Sequence, residues 1–191
     1  MFERFTKDAR DVVRGAVEQC EGTGAGTVEP EHLLLALLDR EAGRASFVLA
    51  ALGVAERKES LREALAQARR RAGLSRAETD ALAGIGIDVS AIVSRVEEVH
   101  GVGAMSGDAR ERGWWGAGRR SFGRGAKDVL ERSLRLALAR RDRHIGDQHI
   151  LLALTVRPGV VAEVLADHGV THESVTRVLY GGGGEAAAQA G

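Results

Sequence analysis

Aromatic side chains make up only 4% of this 191-residue chain, and cysteine occurs once. That scarcity excludes a core built on stacked rings and leaves aliphatic, alanine-rich packing of the kind close-set helices use. A single cysteine excludes an internal disulfide and fits a reducing compartment. Cys20 continues the stripe Phe5, Ala9, Val12, Ala16, which predicts a buried thiol and not a nucleophile. Charge of one sign is missing too. The 27 basic residues balance 27 acidic ones, so no overall field draws the chain to nucleic acid or an anionic membrane. Lysine is confined to positions 7, 58 and 127, and arginine supplies the rest. No apolar run is long enough to span a bilayer, and the opening Met-Phe-Glu-Arg-Phe lacks the basic-then-apolar pattern of a secretion signal. The expected location is the cytoplasm.

What is present is a repetition. Glu-His-Leu-Leu-Leu-Ala-Leu at 31–37 returns as Gln-His-Ile-Leu-Leu-Ala-Leu at 148–154, an offset of 117. The same offset carries Phe5, Ala9, Asp11, Val12 and Val13 onto Phe122, Ala126, Asp128, Val129 and Leu130. Two matched blocks in constant register mark a duplicated helical unit.

Thr6, with Asp8 in the following turn, predicts a helix over about 6–20, closed by Gly22, Gly24 and Gly26. Pro30 opens a short second helix that is apolar almost all round and therefore central. A third, over about 45–52, stops at Gly53-Val54. Residues 56–71 are charged and helix-prone, with Leu61 and Leu65 as their seam. Asp88 caps a further helix carrying Val89, Ile92, Val93, Val96 and Val99. In the second copy, helices are expected over about 123–140, 147–155, 160–167 and 173–180. Alternating β-branched residues are absent. The fold class is all-α, a duplicated helical bundle of about four helices per repeat. Expected boundaries are 1–101 for repeat one and 102–121 for a Gly/Arg-rich linker. Repeat two follows at 122–180, and 181–191 reads as a disordered tail. Trp114 and Trp115 inside the linker either dock back on the domain or meet a partner.

Met-Phe-Glu-Arg-Phe-Thr-x-x-Ala-Arg, then Glu-His-Leu-Leu-Leu-Ala-Leu, then Leu52-Gly53-Val54 resemble the N-terminal domain of the Clp/Hsp100 unfoldases, ClpC type. Gly86-Ile87-Asp88-Val89 through Val96-Glu97-Glu98-Val99-His100-Gly101 resembles that family's closing helix of the first repeat. In the second repeat, Phe122, Ala126-Lys127, Val129-Leu130-Glu131 and His144 to His149 match as well. The resemblance implies a pseudo-twofold helical domain that binds adaptors, peptides or marked substrates for an ATPase ring, and against the family pattern the first repeat carries a helical insertion at about 55–83. No Gly-x-x-x-x-Gly-Lys-Ser/Thr occurs here, so the chain reads as a free-standing N-domain and not as the motor.

Two constellations follow from the resemblance. Some ClpC-type domains take phosphorylated arginine, with a carboxylate forking the guanidinium and donors near a helix start. The matching residues are Thr6 and Glu31 in the first copy. The second copy has Gly123 and Gln148 instead, so its site is expected to be lost, and Pro30 is expected to weaken or retune the first. The other constellation is a groove that accepts cyclic-peptide antibiotics in relatives, here Phe2, Arg10, Phe122, Lys127 and Glu131. The plainer reading makes Phe122 a staple and Lys127–Glu131 a solvated ion pair.

His32 and His149 occupy equivalent first-turn positions, which suggests a shared packing or capping duty and not catalysis. His144 with His149, and His168 with His172, lack the one-face spacing of a zinc site, and no Gly-x-Ser-x-Gly occurs. No catalytic residue, metal or cofactor is expected. The sequence predicts a non-enzymatic peptide- or protein-binding adaptor or regulator of Clp-dependent proteolysis. Its expected partners are Clp ATPase or protease components, or their substrates and adaptors. An alternative is a decoy that sequesters cyclic peptides. A third, regulation through nucleic acid bound by the Arg-rich linker, is disfavoured by the balance of charge.

Overall fold

The computed structural model describes residues 4–70, 74, 76–100 and 121–181. Phe2, Trp114 and Trp115, positions 102–120 of the expected linker and 182–191 of the expected tail lie outside the described residues. The first half holds α1 (Lys7–Gly22), β1 (Thr27–Val28), α2 (Pro30–Asp39) and α3 (Arg44–Ala51). A 3-10 turn, Ala55–Arg57, then leads into α4 (Lys58–Arg70), α5 (Arg76–Gly84) and α6 (Val89–His100). The second half holds β2 (Ser121–Phe122), α7 (Arg124–Ala139), α8 (Asp147–Val156), α9 (Val160–Asp167) and α10 (His172–Tyr180). The class is all-α.

The twin heptapeptides form the centre. Leu33, Leu34, Leu37 and Leu38 of α2 and Ile150, Leu151, Leu152 and Leu154 of α8 are fully buried, and the two helices pack on each other. Each such side chain contributes about 1.5–3 kcal/mol when taken out of water. On the outside of this pair, α1 lies along α2 and α7 along α8. Their apolar residues recur at helical spacing, so Ala9, Val12, Val13, Ala16 and Cys20 face inward on α1, and Ala126, Val129 and Ala137 on α7. The Cys20 thiol is buried and donates to the Ala25 carbonyl at 3.3 Å.

Both third helices end the same way. Gly53 (φ 69°) and Gly169 (φ 79°) take the left-handed conformation, and the next N–H folds back at 2.8 Å, Val54 to the Leu49 carbonyl and Val170 to that of Leu165. This is a Schellman stop, with the buried valine covering the helix end.

Two features depart from expectation. Strand pairing, absent from the sequence pattern, joins the halves: Thr27 pairs with Ser121 and Val28 with Phe122 in parallel, and Phe5 bridges Ile145. Gly123 N–H donates to the Val28 carbonyl at 2.9 Å, and Thr6 N–H to that of Ile145 at 2.9 Å. The lead-in to each half's first helix is therefore bonded to the lead-in of the other half's second helix.

The second departure concerns the insertion, expected at about 55–83 with α6 closing the first repeat. In the second half, α10 packs on α3 and α8. The helix that packs on the corresponding α9 and α2 is α4. Leu61, Leu65 and Ala68 fall on one face of α4 and are all buried, so α4 fills the closing position directly after its Schellman stop. The additional material is the α5–α6 pair, tied to α9 through Arg76, whose N–H donates to Glu163 and whose guanidinium meets Asp167 at 3.1 Å.

Candidate functional site

Each second helix begins with a histidine that caps it. His32 Nδ1 accepts from the Glu29 N–H at 2.9 Å, and His149 Nδ1 accepts from the Gly146 N–H at 3.0 Å. A ring nitrogen that accepts a backbone N–H carries no proton, so in both rings the hydrogen sits on Nε2. His149 gives it to Asp142 Oδ2 at 3.0 Å. His32 directs it toward Thr23 Oγ1 at 3.3 Å, with Glu31 Oε1 at 3.8 Å. Burial pushes the His149 pKa below 6.5, against the opposing pull of Asp142.

Thr6 caps α1, its hydroxyl accepting from the Ala9 N–H at 3.2 Å. It opens onto a depression of about 250 Å³ shared with Arg44, Arg143, His144 and Gln148. Glu31 faces elsewhere. It lines a pocket of about 330 Å³ between α1, α2 and α4, with Gln19, Leu35, Leu65 and Arg69. The expected pairing of Thr6 with Glu31 is therefore not formed. The crossed lead-ins put Thr6 beside the second copy's Gln148 instead. Gly123, the counterpart of Thr6, lies against Glu29, whose carboxylate occupies the space a Cβ would need. Thr6 shares its depression with Asp8 of its own copy and with Asp142 and Asp147 of the other, and not with Glu31.

In the α1–α2–α4 pocket the polar groups are already paired. Arg69 Nη2 donates to Glu31 Oε1 at 2.8 Å, both side chains being about one-fifth exposed. Two turns earlier on the same face of α4, Arg62 donates to Asp39 at the other end of α2, and Gln19 Nε2 donates to that same carboxylate. The arginines thus clasp α4 to both ends of α2, and between the clasps lie Leu35, Leu65 and Ala66.

Of the groove residues, Lys127 and Glu131 line one depression of about 500 Å³ with Arg124, Asp128 and Arg157. Glu131 forms its ion pair with Arg135, one turn on. Phe122 sits in β2, half-buried against the core, and Arg10 is exposed on α1 outside that depression. The structure brings together Lys127 and Glu131 from this set. Arg69, Glu29 and Asp142 were not singled out as site residues. For Arg69 a signal exists in its place beside the Leu61–Leu65–Ala68 seam, yet an arginine in a charged, helix-prone stretch ordinarily faces water. Among the described residues, no group of three or more His, Cys, Asp or Glu converges as metal ligands would, and no single helix is long and apolar enough to cross a membrane.

Residues 4–82 match the family described as the Clp repeat (R) N-terminal domain. This stretch is a Clp N-domain. Among solved structures, the chain is similar to the N-terminal domain of the caseinolytic protease associated chaperone ClpD from Arabidopsis thaliana. The two share 17% identity over 94% of this chain and 96% of that one, at a TM-score of 0.48. It is also similar to the Hsp104 N-terminal domain from Candida albicans, with 15% identity, 94% and 91% coverage, and a TM-score of 0.49.

Proposed function

We propose that this Clp N-domain chain is a non-catalytic binding module of ClpC type that takes peptides or protein segments and acts as an adaptor or regulator of Clp-dependent proteolysis. The match of residues 4–82 to the Clp N-domain family carries this reading. The site chemistry supports it: the depressions are lined by arginines and carboxylates suited to polar recognition of a chain. Binding to purified Clp ATPase and peptidase subunits, followed by size-exclusion chromatography, tests it. Co-elution with the ATPase subunit is expected, and separate elution of all components at micromolar concentrations rejects the adaptor role.

A second reading, sequestration of cyclic peptides, is favoured by the shared depression of Lys127 and Glu131. Under it, a cyclic-peptide ligand raises the melting temperature of the wild type and not of Lys127→Ala. The separation of Thr6 from Glu31 argues against two equivalent phosphoarginine sites. Calorimetry with a phosphoarginine peptide is expected to show no second equivalent site.

A further inference from the structure

The two halves stop their first helices in the same way but with unlike residues. After α1, Gly24 takes the left-handed conformation (φ 72°). Its N–H donates to the Glu21 carbonyl at 3.0 Å, and the Ala25 N–H to that of Cys20 at 3.0 Å. After α7 the same two bonds run from Arg141 to Leu138 at 3.0 Å and from Asp142 to Ala137 at 2.9 Å. Arg141 therefore stands in the place of Gly24, at φ 58°, and among the described residues no other non-glycine has a positive φ. A Cβ in that conformation crowds the backbone, a cost that glycine does not carry. The Arg141 side chain is exposed and has no hydrogen bond or ion pair among the described residues to offset it.

Arg141 has company. The Arg140 guanidinium lies over the Tyr180 ring at the end of α10, 3.5 Å from its centre. Burial pushes the Tyr180 hydroxyl above its ordinary pKa of 10.0, and the charges that act on it are Arg140, Asp142 and Arg44. Arg44 opens α3 and shares a depression with Arg143. The ends of α7 and α10 and the start of α3 thus gather Arg44, Arg140, Arg141 and Arg143, all exposed and none paired with a carboxylate among the described residues. The aspartates beside them are engaged: Asp142 with His149 at 3.0 Å, and Asp8 with Arg40 at 2.8 Å. Asp147 accepts from the N–H groups of Ala45 at 3.0 Å and Gln148 at 3.1 Å. Glu41, exposed on the loop before α3, offsets at most one of the four arginines. Phe47, one turn after Arg44 on α3, is 65% exposed.

We propose that this corner of the molecule is a docking surface for an acidic segment of a protein partner, one that sets carboxylates on Arg44, Arg141 and Arg143 and an apolar side chain against Phe47. Arg141 holds a place that suits glycine because its side chain meets the partner there. The planar guanidinium fork matches a carboxylate through two parallel hydrogen bonds. A nucleic-acid backbone fits less well, since Asp142 and Asp147 lie among the arginines and a run of phosphates has no apolar group for Phe47. The first copy has Thr23, Gly24 and Gly26 where the second has Arg140, Arg141 and Arg143, so the surface exists once. This inference rests on the peptide- or protein-binding reading above and adds the surface and the chemistry of the partner.

Fluorescence anisotropy on the full chain tests the surface. The probes are labelled alanine-based peptides carrying Glu-Glu-Leu-Glu, Gln-Gln-Leu-Gln or Glu-Glu-Ser-Glu at their centre, and a labelled oligothymidylate. The Glu-Glu-Leu-Glu peptide is expected to bind best and to weaken as salt rises. Arg141→Gly and Arg143→Gln are each expected to weaken it about threefold and together about tenfold. Phe47→Ala is expected to erase the preference for Leu over Ser, and Arg95→Gln, which takes the same charge from α6, to change nothing. Arg141→Gly gives the loop the residue of the other copy, so its melting temperature is expected to be no lower than that of the wild type. A lower one shows that the arginine serves the fold and overturns its assignment to the surface. Equal affinity for the Gln-Gln-Leu-Gln peptide overturns the surface, as do equal losses from Arg95→Gln. Tighter binding of the oligothymidylate than of any peptide replaces the protein partner with nucleic acid. Co-elution with the Clp ATPase subunit, measured on the same proteins, separates the two readings. Co-elution without acidic-peptide binding leaves the adaptor role standing and rejects the surface. Peptide binding that the arginine variants lose, without co-elution, keeps the surface and rejects the adaptor role. If neither is seen, both fall.

Discussion

His149 makes two hydrogen bonds that only its neutral ring can make together, accepting from the Gly146 N–H and donating to Asp142. Protonation at Nδ1 would remove the acceptor and leave a cation fully buried in the core. Because burial holds its pKa below 6.5, the unfolded chain binds the proton first as pH falls. Stability is therefore fully present above about pH 6.5 and is lost below it, by up to about 1.4 kcal/mol per pH unit until the folded ring titrates. Urea unfolding from about pH 5 to 8 measures this slope, and His149→Gln is expected to flatten it. An identical slope in both proteins would reject the assignment. The capping duty was legible in the sequence, because both histidines recur at the same place in the repeat. Asp142 was not, because its counterpart at the 117 offset is Ala25 and no repeated letter marks it.

At the scale of elements, α4 and α6 compete for one description. Each carries apolar residues at helical spacing, and family resemblance favoured α6 as the closing helix. Packing decides for α4: Leu61 and Leu65 join the central core, whereas the buried Val89 and Val93 of α6 lie outside that core and Ile92 is nearly half exposed. Leu61→Ala is accordingly expected to cost about 2–4 kcal/mol, and Ile92→Ala less than about 1 kcal/mol, both measured by chemical denaturation. Comparable losses would return α6 to the closing role. A sign of α4 was present in the chain as its short distance from a stop: it starts four residues after Val54, as α10 starts two after Val170, whereas α6 starts only at Val89. Periodicity by itself does not say which of two amphipathic helices finds the core. The two-residue strands were illegible for another reason: they pair segments some ninety positions apart and are too short to show alternation.

At the scale of the molecule, the two halves share their interior. α2 packs on α8, and each half depends on the other for the hydrogen bonds before its helices. Residues 1–101 and 122–191, expressed apart, are expected to lack a cooperative thermal transition and to regain it on mixing, followed by circular dichroism. A half that melts cooperatively alone as a monomer would show that the sequence boundary is also a folding boundary. The repetition was legible as two matched blocks of sequence. That the copies are laced together was not, since an offset in sequence gives each residue its counterpart and not its neighbour.

The crossed lead-ins also bear on how such a chain can change over time. Duplication ordinarily leaves one copy free to decay while the other keeps the task. Here Thr6 of the first copy stands by Gln148 of the second, and Gly123 of the second stands by Glu29 of the first. Each helix start is a joint holding of both copies. A substitution in either is therefore felt across the divide, and neither copy can be retired without emptying half of each helix start.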